Sequence, residues 1–311
     1  MRAIPPAIRL PSASPRPMIK GHIRPCIQMN SDSDASYGAT GGSPAQAMRF
    51  RLHRARQQVK ATRSLLRLVR ADSSRADRAT GRRLTQLGRE LSTCRDAAVL
   101  VDTFDRLVIG SPDRAERRTL PLIRRTLVSQ RDHAERSRRI KELVKVIAVE
   151  LGAVNQACLR NIWARPPAIL VRGFKDSLFS ARHAMRTAKR HPSAVNFHEW
   201  RKRVKDLCGQ LKPLQALWSD RIYCYAERLA KLESRLAKLH DLAVLEQRLQ
   251  KFQRTSRSPL AIAALAVRSR KKQQRLRGRT LHQGHRLNGY RRRRFLHDVG
   301  DLLRRYDRCR T

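Results

Sequence analysis

An internal repeat narrows the fold of this chain more than any other feature. Residue n aligns with residue n + 145 without a gap, pairing Leu52–Leu100 with Phe197–Leu245, and 15 of the 49 positions are identical. Leucine periodicity alone could place Leu84, Leu87 and Leu91 opposite Leu229, Leu232 and Leu236. It would not also bring His53 onto His198, Arg56 onto Arg201, Lys60 onto Lys205 and Asp96 onto Asp241. Two copies of one helical module is therefore the better reading.

From Ala45 onward the apolar periodicity is helical. Helices are expected near 46–70, 75–108, 113–163 (broken once), 168–190, 194–217, 219–252, 259–282 and 288–308. Breakers fall at Gly110-Ser111-Pro112, Pro166-Pro167, His191-Pro192 and Ser258-Pro259. Few stretches alternate with period two. The expected fold is therefore all-α: two antiparallel bundles of long helices, 46–165 and 166–311, related by a pseudo-two-fold. Residues 1–45 carry five prolines before position 20, then a Ser-, Gly- and Asp-rich stretch, and read as a disordered extension. The longest clean apolar run, Leu260–Val267, is too short to span a bilayer. Cysteines 26, 94, 158, 208, 224 and 309 form no C-x-x-C pair. They read as thiols of a reducing compartment, which makes a cytoplasmic location the expectation.

Charge then limits the partner. The chain holds 69 Lys plus Arg against 25 Asp plus Glu, a formal net charge of +44. Such self-repulsion destabilises a compact state and serves no ordinary metabolic enzyme. It suits a polyanion: nucleic acid, an acidic membrane surface or a phosphate polymer. Only 7 Phe, 5 Tyr and 3 Trp are present, few for a protein that stacks bases.

The repeated cations are placed with a pattern. At 100° per residue, His53, Arg56, Lys60, Arg63 and Arg67 fall on one arc, beside Leu52, Val59 and Leu66. They border the buried face, as groove residues between helices do. His198, Arg201 and Lys205 occupy the matching arc of the second copy. A merely solvated basic face has no reason to repeat with His in the same slot. A second shared run, Leu91 to Leu100 against Leu236 to Leu245, puts Arg95 and His240 in one slot. Both can present a cationic or donor nitrogen. The Asp beside each could orient a neighbouring Arg or His, or make an ordinary helix ion pair.

The run Phe197-His198-Glu199-Trp200-Arg201-Lys202-Arg203-Val204-Lys205-Asp206-Leu207, followed by His240-Asp241-Leu242-Ala243-Val244-Leu245, resembles the second half of a CHAD domain, the conserved histidine α-helical domain. Leu52-His53, Arg56, Val59-Lys60, Arg63 and Arg95-Asp96 match the first half. The resemblance covers about residues 46–308. It implies two pseudo-symmetric helical bundles that bind inorganic polyphosphate in a basic groove, and association with polyphosphate granules. The implied binding residues are His53, Arg56, Lys60, Arg63, Arg95, Arg182, His198, Arg201, Lys205 and His240, with no catalytic residue, metal or cofactor. The sequence departs from the family pattern twice. The helix expected before the first His motif falls on residues 27–45, whose middle is Ser-, Asp- and Gly-rich. The helix before the second reads Leu178-Phe179-Ser180-Ala181-Arg182, keeping the Arg of a Tyr-Arg stretch but not the Tyr. The chain contains no Glu-x-Glu, so the triphosphatase-type tunnel domain fused to some family members is not expected.

Polyphosphate is a flexible rod of evenly spaced oxyanions. Arg meets it with a rigid fork and Lys with a point charge. Two other readings compete. A nucleic-acid-binding, nucleoid-associated protein would use the charge non-specifically, but no helix-turn-helix or basic-zipper pattern is present. A metal-dependent phosphohydrolase is loosely imitated by His198, His240-Asp241 and a later Asp298 or Asp301. Against it, the repeat puts Arg95, which cannot ligate, in the His240 slot. The four-Arg run Arg291–Arg294 must spread round a helix and reads as general attraction. Trp163 and Trp218 read as packing residues, and Trp200 as a wedge between helices. His133, His183, His282, His285 and His297 have no repeat partner of their own type and read as ordinary surface or core residues.

Overall fold

Two serines show how the chain starts its helices. The Ser74 side chain accepts from the Asp77 N–H while the Asp77 carboxylate accepts from the Ser74 N–H, a complete capping box. Ser193 likewise accepts from the Asn196 N–H. A computed structural model describes residues 44–109, 114–137, 142, 144–146, 160–255, 259–289 and 292–308. Among them the order is α1 (Pro44–Leu68), a 3-10 turn (Arg70–Asp72), α2 (Arg75–Glu90), α3 (Ser92–Val108) and α4 (Arg114–Arg136). Then come α5 (Pro167–Arg190), α6 (Ala194–Leu211), a 3-10 helix (Lys212–Leu217), α7 (Asp220–Thr255), α8 (Pro259–Asn288) and α9 (Arg292–Arg308). The described residues contain no strand. The chain is all-α, and none of its described helices is long and apolar enough to cross a membrane.

The observed boundaries differ from expectation in instructive places. The helix expected over 75–108 breaks at Leu91 into α2 and α3, whereas its repeat counterpart continues unbroken as α7. At the break the Leu91 carbonyl accepts from Arg56 Nη1 at 2.6 Å, so a side chain from α1 holds the kink. The helix expected to 217 ends at Leu211, where Pro213 tightens the chain into 3-10 geometry. Of the expected helix over 113–163, the described parts are α4, a few helical positions between 142 and 146, and 160–163. The expected disorder of the N-terminal extension, and the helix missing at 27–45, fall outside the described residues except at Pro44 and Ala45, which open α1.

Helix starts keep the sequence register. Arg75 and Asp220 open α2 and α7, 220 − 75 = 145 positions apart; Arg114 and Pro259 open α4 and α8, 259 − 114 = 145. Burial keeps it too. Val59 and Val204, Leu84 and Leu229, Leu87 and Leu232, and Leu91 and Leu236 are all at most 3% exposed, so the repeated apolar positions are core in both copies. Each such side chain stabilises the fold by about 1.5–3 kcal/mol relative to an exposed one.

α7 packs along α8, α5 along α6 and α6 along α7, while α1 crosses α6. The larger apolar cluster includes Val59, Leu87, Trp200, Leu229 and Phe295; the smaller includes Phe104, Leu127, Leu245 and Leu265. Both draw on residues from either side of position 165, so the two halves share their cores. Close approaches need glycine at two places. A Cβ on Gly173 would overlap the Leu68 carbonyl oxygen, so the end of α1 seats closely on α5. A Cβ on Gly284 would lie 2.7 Å from the Trp200 ring, which wedges there between α6 and α8.

Candidate functional site

The site begins at the crossing of α1 and α6. Gln210 Nε2 donates to the Ser64 carbonyl at 3.0 Å, and Arg67 pairs with Asp206. Contact order runs up one helix and down the other, so the two are antiparallel. His53 and His198 each lie 11 residues N-terminal to the crossing pair Ser64 and Gly209. At 1.5 Å per residue they stand to opposite sides of it, about 30 Å apart. The ten expected residues are therefore not gathered at one point.

On the first side, α1 carries His53, Arg56, Lys60 and Arg63. His53 is exposed, its Nε2 3.2 Å from Gln57 Nε2. Lys60 is half-buried. Arg56 is only 9% exposed and bonded to the Leu91 carbonyl, so it is built into the hairpin between α1 and α3. Arg63 lies over Gly88, where a Cβ would come within 3.3 Å of its Nη1. Burial, with Arg67 and Arg89 nearby, pulls its guanidinium below the ordinary arginine value, against the opposing effect of Asp206. It stays charged. Arg95 lies in the first turns of α3, but its side chain falls outside the described residues.

On the second side, α6 carries His198, Arg201 and Lys205 against His240 of α7. His198 Nδ1 and His240 Nδ1 are 3.1 Å apart, with ring centroids at 4.4 Å. Burial first, then Arg201, Lys202 and Lys205, lowers the pKa of His198, with Glu199 opposing. Arg201, the repeat partner of Arg56, is equally withdrawn at 7% exposure, its Nη2 3.9 Å from Glu233 Oε1. Lys205 is half-buried.

Arg182 belongs to neither side. It donates to the Asn288 carbonyl, and Tyr225, Arg292 and Arg186 are the charges that act on it; burial is the main reason its pKa is lowered. Tyr225 is 15 residues from His240 on α7, about 22 Å along the helix. One further cation was not expected. Arg277 of α8 lies 5.6 Å over the ring of Phe197, the residue before His198. Its repeat position is Asp132, so the internal comparison offered no signal for it.

Two adjoining clefts of about 410 and 540 Å³ share Arg70, Ser180 and Arg203 between α5 and α6. Neither is lined by any of the ten expected residues. Among the described residues one trio, His297, Asp298 and Asp301, could hold a metal ion. It lies on α9 and includes neither His198 nor His240. Asp301 there is already engaged by Arg304, which holds its carboxyl below the usual range.

The family model described as CHAD domain matches residues 50–250. No curated protein and no solved structure matches the chain.

Proposed function

The chain belongs to the CHAD-domain family, and on that premise we propose that it binds inorganic polyphosphate along the cationic arcs of α1 and α6, as a binder and not a hydrolase. The observation that carries the reading is the disposition of those arcs. Two like sets of His, Lys and Arg, one per half, lie on antiparallel helices either side of one crossing. A small anion would meet only one set. A polymer of oxyanions meets both, and linking the two contacts raises affinity through effective concentration. The halves 46–165 and 166–311 act as pseudo-two-fold-related modules, each supplying one set. Granule association follows from such binding.

The exposed or half-buried residues His53, Lys60, Arg63, Lys205, His198 and His240 touch the ligand. Arg56 and Arg201 hold the helices that present them. Arg95 adds a further cation to the first set. Arg182 contributes only to the general field. The test is binding of a polyphosphate of one defined length to wild type and to His53→Ala, Lys60→Ala, His198→Ala and Lys205→Ala, with duplex DNA as competitor. The reading expects each variant to bind several-fold more weakly, and polyphosphate to displace DNA at far lower phosphate-equivalents than the reverse. Unchanged affinity in all four variants overturns the site. Displacement that favours DNA favours a nucleic-acid partner instead.

A further inference from the structure

The second set differs chemically from the first. His198 and His240 turn the same ring atom, Nδ1, toward each other at 3.1 Å. Two N–H groups cannot point at one another at that distance, and two bare lone pairs would repel, so the hydrogen bond between them holds a single proton. Each Nε2 then faces away from the shared contact. In the neutral couple, one ring carries its proton on Nδ1 and offers a bare Nε2 lone pair; the other carries its proton on Nε2. Only one of the two Nε2 atoms can donate to a phosphate oxygen. Adding one proton from solvent gives three protons over four nitrogens: one shared, and one on each Nε2. The couple then carries one positive charge and two outward donors. A second added proton would force the rings apart.

Resting on the polyphosphate reading, we infer that the His198–His240 couple is a proton-gated phosphate clamp, which takes up one proton as it grips a phosphate unit. The first set has no such gate. Its residue in the His240 slot is Arg95, which is charged at any physiological pH. In this slot one half of the protein therefore holds fixed charge, and the other holds charge that the ligand must induce.

The surroundings support the gating. The charges acting on His198 from α6 are Arg201, Lys202 and Lys205, opposed by Glu199. α7 adds Asp241, next to His240, and Glu233, engaged with Arg201. α8 adds Arg277 over Phe197, and α1 adds Arg67, paired with Asp206. α5 adds His183, which shares a cleft with Glu199. Burial, Arg201, Lys202 and Lys205 outweigh Glu199 at His198. They resist its protonation in the free protein, and a bound phosphate reverses that balance. Affinity should then rise as pH falls, by at most about one decade per pH unit for one linked proton.

The experiment is calorimetric titration of the full chain with polyphosphate of one defined length, at pH 7.5, in two buffers of different ionisation enthalpy. The buffer dependence gives the protons taken up. Wild type should take up about one proton more than His240→Arg, which recreates the Arg95 arrangement. His53→Ala should weaken binding yet keep that difference. In ¹⁵N-histidine spectra, ligand should protonate both Nε2 atoms of the couple together. Polyphosphate binding with equal proton uptake in wild type and His240→Arg overturns the clamp and leaves the polyphosphate reading standing. No polyphosphate binding by wild type overturns both.

Discussion

Ser64 and Gly209 are 145 positions apart in sequence and meet where α1 crosses α6: a Cβ on Gly209 would lie 2.7 Å from Ser64 Oγ and 2.9 Å from Ser64 Cβ. The Ser64 hydroxyl could rotate away, but its Cβ is fixed to the backbone. Gly209→Ala must therefore separate the helices, at about 1–3 kcal/mol. Ser64→Gly in the same chain should recover most of that loss. Denaturant midpoints of the two single variants and the double variant measure it; additive losses would count against the contact.

Arg56 and Arg201 were legible as a repeated pair but not as buried ones. Arg56→Ala removes the donor to the Leu91 carbonyl at the α2–α3 kink. Arg201→Ala removes the cation beside Glu233. Each should lower stability by about 1–3 kcal/mol, the usual cost of leaving such a partner unmatched. Lys60→Ala and Lys205→Ala should leave stability within about 0.5 kcal/mol while weakening ligand binding. Thermal unfolding and binding, measured on the same four proteins, separate the two roles.

Much of the fold is legible in the sequence. Helix type follows from apolar periodicity, and the 145-residue register also fits helix starts at Arg114 and Pro259, outside the aligned window. What sequence could not give depends on through-space geometry. The kink at Leu91 follows from a side chain 35 residues away taking its carbonyl. The separation of His53 from His198 follows from an antiparallel crossing, and helical arcs carry no information on how two helices cross. Arg182 matched a family position, yet the fold places it near Tyr225 and Asn288. Arg277 reaches Phe197 from a helix whose repeat counterpart carries an acid at that position.

Cysteine reactivity gives a check on packing. Burial pushes the Cys208 thiol well up, with Glu233 adding to the effect, while Cys224 is exposed. Only thiolate reacts with alkylating agents. Under native conditions Cys224 should be modified promptly and Cys208 only on unfolding, as read by peptide mass after timed quenching. Fast native modification of Cys208 would show that α6 is not seated against α7 as described.

Acid should destabilise the ligand-free protein through His198. Its folded pKa lies below the unfolded value because burial and Arg201, Lys202 and Lys205 disfavour the charged ring. The unfolded state then binds more protons, so stability rises with pH across this window. The contribution is full above the ordinary histidine pKa, about 6.5. It fades as pH falls through that value toward the lower folded one. Tm of wild type should drop between pH 7.5 and 5.5 by more than Tm of His198→Asn. Bound polyphosphate should reduce the difference, since it favours the protonated ring.

Salt dependence can count the cations in contact. Each neutralised phosphate releases condensed counterions, so log K falls linearly with log salt, by about 0.7–0.9 per contact for nucleic acids. Lys60→Ala and Lys205→Ala should each flatten the slope by about one contact. The histidine couple should behave differently with pH. At pH 8.5 a couple that stays mostly neutral adds little to the slope, and His240→Ala should scarcely change it. At pH 6 the charged couple adds a contact, and the same variant should flatten the slope as a lysine variant does. Titrations at four salt concentrations and both pH values decide it. A slope equally sensitive to His240→Ala at pH 6 and pH 8.5 would mean that the couple acts through shape or hydrogen bonding alone, with no change of charge.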